Sequence, residues 1–245
     1  MRFVAVIIGS ELLDGRRGDA HFGFLRQALF ERGHTLDAAW YVADKPDLIE
    51  SLFTLAATDE QMVLFSFGGI GATPDDYTRQ CAANVFTASK LALHSGGMAH
   101  IEARFENPTA YQREMVNFPN GAGLLHNPVN QIPGFSLFDR LFFVPGFPSM
   151  AHPMVIEALE RFVPTASLPL RHTLLAECSE GALMEMMNAL PQGVTLSCLP
   201  ESSGLKRQTT LSLSAHNGPL LDDAFAQIQI GLDAAGIGYE IVEGV

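Results

Sequence analysis

Cysteine, tryptophan and positive charge are all scarce in this 245-residue sequence, and no apolar stretch in it is long. The three cysteines, Cys81, Cys178 and Cys198, are odd in number and lack metal-type spacing. That argues against a disulfide framework, and their apolar surroundings predict buried, reduced thiols and so a cytoplasmic chain. Lysine and arginine total 15 against 27 aspartates and glutamates, a formal net charge of -12, so neither nucleic acid nor an anionic membrane surface is an expected partner. The first apolar run ends at Gly9 and meets Glu11, too short for the apolar region of a secretion signal, and no run approaches a membrane span. Nor do any of the eight histidines pair at the spacing of a zinc-binding helix.

What the sequence does have is core-forming material: 47% hydrophobic residues, with 17 phenylalanines spread along the chain. Phe3 to Ile8 reads as a strand buried on both faces. A helix follows, capped by Asp19, turning Phe22, Leu25 and Leu29 inward and ended by Gly33. The alternation repeats with a strand at Leu36 to Val42, a helix from Pro46 with Leu48, Ile49, Leu52 and Leu55 inward, and a strand at Gln61 to Phe67. Helical pattern resumes from Pro74 to Phe86 and around Met98 to Phe105, short apolar runs follow at Gly123 to Leu125 and Leu141 to Val144, and Pro148 to Phe162 closes the region. This order predicts an α/β fold, a three-layer, mostly parallel sheet with helices on both faces, over residues 1–165.

Prolines and small polar residues at Phe162 to Leu170 mark a linker. Beyond it the pattern is strand (Leu170 to Cys178), helix (Glu180 to Leu190), strand (Val194 to Leu199), a turn at Ser202 to Gly204, strand (Gln208 to Ala215), helix from Pro219 and strand (Tyr239 to Val242). That βαββαβ order predicts a small α+β, ferredoxin-like domain over residues 166–245.

Between the third strand and the next helix stands F-S-F-G-G-I-G-A-T-P-D-D-Y-T, Phe65 to Thr78. Glycines there let the backbone turn sharply and let a ligand approach, and the helix that follows offers the positive end of its dipole to a phosphate. Carboxylates beside a bound diphosphate can hold a divalent metal. The same residues also suit a helix start, with Thr73 as N-cap, Pro74 at the first position and Asp75 and Asp76 in the first turn. Three glycines exceed what a cap needs, which favours a ligand cradle. Glu11 lies at the carboxyl end of a strand, where such sheets bind ligands, whereas Asp19 before a helix has N-capping as its plain alternative.

Taken together, G-S-E-L-L-D-G at 9–15, G-D-A-H at 18–21, G-G-I-G-A-T-P-D-D-Y-T at 68–78 and P-G-F-P-S-M at 145–150 resemble the CinA (competence/damage-inducible) family. The amino-terminal domain of that family belongs to the molybdopterin-binding, MoaB/MogA-like superfamily. The resemblance covers about residues 1–165, and the small domain also resembles the one that follows in CinA-type proteins. The amidase domain that often ends the family is not expected within this sequence.

The resemblance implies that Gly9, Ser10, Gly68, Gly69, Gly71, Thr73 and Thr78 cradle a nucleotide or pterin phosphate, with Gly134, Pro145 and Gly146 as the opposite wall. It implies Asp75, Asp76 and Glu11 as catalytic carboxylates, with Asp75, Asp76 and Asp19 holding Mg²⁺, or Mn²⁺ or Co²⁺ in its place. The leading activity is metal-dependent hydrolysis of ADP-ribose at its pyrophosphate; ligand binding without turnover ranks second and adenylylation of molybdopterin third. A small-molecule nucleotide or pterin (molybdopterin) is the implied ligand and a homo-oligomer, dimer or trimer, the implied assembly. Several positions depart from the family pattern. Ser10 replaces threonine, Ala72 replaces proline, His21 replaces asparagine and Asn130 replaces glycine, while Phe147 and Met150 depart from P-G-P-P-x-E.

Overall fold

The computed structural model describes residues 1–88, 90–203 and 206–242, which divide into two compact units, Met1–Ala166 and Ser167–Val245. In the first unit the buried apolar runs become strands. β1 (Arg2–Ile8) pairs in parallel with β2 (Leu36–Val42) on one side and β3 (Met62–Phe67) on the other, and β3 pairs in parallel with β8 (Leu141–Val144). Two antiparallel strands, β7 (Gly134–Leu137) and β6 (Gly123–Leu125), complete a six-stranded sheet of order β2-β1-β3-β8-β7-β6. The short β4 (Leu91–Leu93) and β5 (Asn117–Pro119) pair apart from it. The sheet is thus mostly parallel, with an antiparallel edge.

Helices cover both faces, and alternate strand residues feed two cores. Val4, Val6 and Leu64 point to one, with Ile49 and Phe53 of α3 (Pro46–Thr58). Phe3, Ala5, Phe65 and Phe67 point to the other, with Leu25 of α2 (His21–Glu31) and Val155 and Leu159 of α7 (Pro148–Phe162). The remaining helices of this unit are α1 (Ser10–Leu13), α4 (Thr78–Phe86), α5 (Ser95–Arg104) and α6 (Ala110–Glu114).

Three sequence expectations need correction here. Leu48 and Leu55 are 43% and 48% exposed; the inward stripe of α3 is Ile49, Phe53 and Ala56, because Phe53 fills the space against Phe86 and Phe143. Phe22 is exposed too, and α2 buries His21, Leu25, Ala28 and Leu29. The helix expected from Pro74 begins only at Thr78, with Tyr77 rather than Thr73 at its cap.

In the second unit, β9 (Leu170–Ala176), β10 (Thr195–Ser203), β11 (Lys206–Ala215) and β12 (Tyr239–Val242) form an antiparallel sheet of order β10-β11-β9-β12. The segment expected as one helix from Glu180 is a 3-10 turn, Glu180–Leu183, followed by α8 (Met184–Asn188), and α9 (Gly218–Ala234) supplies Leu221, Ile228 and Leu232 to the core. This is the βαββαβ arrangement. Ser202 and Ser203 belong to β10, and the turn expected at Gly204 lies outside the described residues. All three cysteines are free; Cys81 is buried, whereas Cys178 and Cys198 are only half-buried.

Candidate functional site

Past the carboxyl end of β3, Gly68 and Gly69 take φ of +96° and +66°, the left-handed region that glycine alone enters without strain. Each glycine of the loop is also required by the loop's own packing. A Cβ on Gly68 would stand 2.5 Å from the Ile8 carbonyl oxygen, one on Gly69 2.5 Å from Thr78 Oγ1, and one on Gly71 against the Asp76 carboxylate. Thr78 closes the turn: its Oγ1 donates to Gly68 O at 2.8 Å and its amide to Gly69 O at 3.0 Å. The start of α4 is thereby seated directly behind Gly69.

A cavity of about 400 Å³ opens over this turn. The glycine loop contributes Gly69, Ile70, Gly71, Thr73 and Asp76, and the segment around α6 contributes Tyr111 and Met115. The third side is formed by Asn127, Asn130, Ile132 and Pro133, and the fourth by Pro145, Gly146, Phe147 and Met150. Volume and lining, mostly apolar with a few polar groups, fit a small-molecule site.

Two buried polar side chains that the sequence reading missed hold this cavity together. Arg79 of α4, 5% exposed, donates from Nε and Nη2 to Gly71 O at 3.1 and 2.7 Å. From Nη1 it donates to Asn117 O at 3.0 Å, to Glu114 O and to Glu114 Oε1 at 2.9 Å. It thus ties the glycine loop to the α6 segment. Asn127, 1% exposed, accepts from the amides of Val129 (3.0 Å) and Asn130 (3.4 Å) and donates to Ile132 O (2.9 Å), which shapes the 127–132 turn. An arginine in an amphipathic helix and an asparagine before a proline carry no sequence signal of such a role. Only the turn-forming habit of Asn-Pro points that way.

Of the expected phosphate-binding residues, the structure brings Gly69, Gly71, Thr73, Pro145 and Gly146 to the cavity. Gly68 and Thr78 sit beneath it, in the turn just described. Gly134 is not on the lining: it is buried in β7, where a Cβ would meet Phe143 O at 2.6 Å and Met154 Sδ at 2.9 Å. Gly9 donates its amide to Val42 O, while Ser10 exchanges bonds with Asp44, its amide donating to Asp44 Oδ2 at 2.8 Å and its Oγ accepting from the Asp44 amide at 3.2 Å.

The expected carboxylates are dispersed. Asp76 lines the cavity, and its Oδ2 accepts from the Thr73 amide (2.8 Å) and Thr73 Oγ1 (2.5 Å). Asp75 is exposed and is not on the cavity lining. Glu11 faces a separate hollow of about 40 Å³ with Arg17 and His21. Asp19 stands one residue before Ala20, the N-cap of α2, and its carboxylate accepts from the amides of His21 (2.9 Å) and Phe22 (3.1 Å) and from Tyr41 Oη at 2.9 Å. Partial burial, and then this bond to Asp19, push the Tyr41 phenol up to about 12. Among the described residues no group of three or more His, Cys, Asp or Glu could hold a metal ion. Of Asp75, Asp76 and Asp19, which the resemblance assigns to a divalent metal, Asp76 alone lines the cavity.

His21, on what the sequence presents as a surface helix, is in fact 4% exposed and stacks on Phe67 at 4.5 Å. Its Nε2 lies 3.3 Å from Gly146 O, a carbonyl that also accepts from Arg17 Nη2 at 2.9 Å. Burial pushes the imidazole pKa down, against the pull of Gly146 O and Asp19.

Comparison with known proteins agrees with this architecture. Residues 4–165 match the family described as "Probable molybdopterin binding domain". A CinA-like protein of Acaryochloris marina is 31% identical, over 61% of this chain and 37% of that protein, and one of Citrifermentans bemidjiense is 27% identical, over 96% and 59%. This chain spans about half the length of the curated relatives it matches. The crystal structure of CinA from Thermoplasma acidophilum, titled as of unknown function, has a TM-score of 0.60 at 23% identity, covering 67% of this chain and 99% of that one, which shows a shared fold. The chain belongs to the molybdopterin-binding domain family and is similar to CinA-like proteins.

Proposed function

We propose that the cavity over the glycine loop binds a nucleotide or pterin phosphate and holds it without hydrolysing it. The carrying observation is the position of three residues that depart from the CinA pattern. Asn130, Phe147 and Met150 line the same cavity as Gly69 and Gly71, so the binding side is kept while the position of the family's glutamate is a thioether. Gly69 to Gly71 present backbone next to the start of α4, which favours an anion. Tyr111, Met115 and Phe147 offer apolar and aromatic surface to a planar ring. Among the described residues Asp76 is the one charged residue on the lining, and its engagement by Thr73 suits a structural part in the loop.

Thermal melts and product analysis with ADP-ribose, AMP and IMP, with and without Mg²⁺, test this reading. Binding stabilises the fold, by about 2.7 kcal/mol at a ligand concentration 100 times Kd, and no AMP is released from ADP-ribose. Release of AMP that stops with EDTA and in Asp76→Ala would restore the hydrolase reading. No shift with any of the three ligands would remove the binding site.

A further inference from the structure

We infer that Asn130 selects the ligand by donating a hydrogen bond from its side-chain amide to a ring carbonyl oxygen, so that the cavity prefers an oxo-substituted heteroaromatic ring over an amino-substituted one. The inference rests on the reading that this cavity binds a nucleotide or pterin phosphate.

The orientation of the Asn130 amide is set by its neighbours. Its Oδ1 accepts from Asn127 Nδ2 at 2.6 Å and from the Ile132 amide at 2.9 Å. Asn127 is itself oriented by backbone groups, its Oδ1 accepting from the Val129 amide and its Nδ2 donating to Ile132 O. Flipping either amide would set donor against donor, so the oxygen of Asn130 is committed to the protein and the Nδ2 group faces away from it. There it meets Met150 Sδ at 3.6 Å. A thioether is a weak acceptor on a flexible side chain, so it satisfies the donor poorly and moves aside readily.

The backbone under this amide is pinned as well. Arg104 Nη1 donates to Asn130 O at 2.5 Å, and the next residue, Gln131, is held at φ +65° with its amide on Asn127 O. A donor fixed in advance and satisfied only weakly discriminates by what the ligand places opposite it. A carbonyl oxygen completes the bond, whereas an amino group sets donor against donor. The phosphate belongs to the Gly69–Gly71 side, by the start of α4, which leaves Asn130, Met150 and Phe147 for the ring.

Isothermal titration with IMP, AMP and inorganic pyrophosphate tests this on the full chain, on Asn130→Asp and on Asn130→Gly. IMP and AMP differ in the oxo or amino group at C6 and in the adjacent N1, which carries a hydrogen in IMP and accepts in AMP. Aspartate keeps an acceptor for Asn127 and Ile132 but replaces the donor. The unaltered chain should bind IMP about 10-fold more tightly than AMP, the worth of one hydrogen bond. Asn130→Asp should invert that ratio, and the uncharged Asn130→Gly should bring it to about one with pyrophosphate affinity unchanged. A ratio that stays the same in both variants, while the unaltered chain still binds nucleotides, overturns the role of Asn130 and leaves the binding site standing. A fall in pyrophosphate affinity in Asn130→Gly assigns the donor to a phosphate oxygen and overturns it too. Failure of the unaltered chain to bind any of the three removes the underlying reading itself.

Discussion

A single methyl group on Gly69 would collide with the Thr78 hydroxyl and force a left-handed backbone on an L residue. Gly69→Ala should therefore destabilise the unliganded protein by about 1–3 kcal/mol in urea denaturation, before any loss of binding is considered. The sequence shows that three glycines crowd one loop; what their missing side chains would strike is a tertiary fact, and it turns out to be Ile8, Thr78 and Asp76. His21 illustrates the same limit. Its buried place on Phe67 is set by the close packing of α2 on the sheet, which no local pattern encodes. Because burial lowers its folded pKa below the ordinary histidine value of about 6.5, the unfolded chain binds the extra proton first. Stability from this residue is therefore complete above that value and is lost as pH falls from it towards the depressed folded pKa. Melting temperature should drop over that interval in the native protein and less steeply in His21→Phe.

At the scale of elements, apolar runs marked every strand of the main sheet except the four-residue antiparallel strand around Gly134, and missed both three-residue strands of the separate β4-β5 pair. On α3 periodicity placed Ile49 and Leu52 on the inward face, where they lie, but added Leu48 and Leu55, which are exposed, and missed Phe53. Phe53→Ala should cost about 3–5 kcal/mol, whereas Leu48→Ala should cost less than about 1 kcal/mol, a contrast that denaturation of the two variants checks directly. The start of α4 was misplaced for a different reason. Thr73, Pro74 and the two aspartates have the composition of a helix cap, but Thr73 spends its amide and hydroxyl on Asp76 in a separate turn. Arg79 then carries the connection between elements. Its replacement by methionine leaves the carbonyls of Gly71, Glu114 and Asn117 without their donor and should cost about 3 kcal/mol, together with most of the nucleotide affinity.

For the whole molecule, each unit has its own core, and that of the second is built on Leu174, Leu211, Leu213, Ile228 and Leu232. Leu211→Ala should cost about 2–5 kcal/mol there, and hydrogen exchange should quicken across 170–242 while the glycine loop keeps its protection. The division into two units was readable from the shift in composition near Phe162 and from the strand and helix order, because those signals are local. The cavity was half readable. Its glycine loop and P-G-F-P wall announce themselves, whereas the 127–132 turn and the α6 segment reach it only through side chains buried behind them.

Arg79 has one further consequence. Its guanidinium grips the glycine loop and the strip bearing Tyr111 and Met115 from underneath, so the two jaws of the cleft share one fastener that is itself absent from the cleft's lining. A ligand that pulls Tyr111 inward must strain the peptide at Gly71 as well, so that its grip on the ring and its grip on the phosphate are felt together.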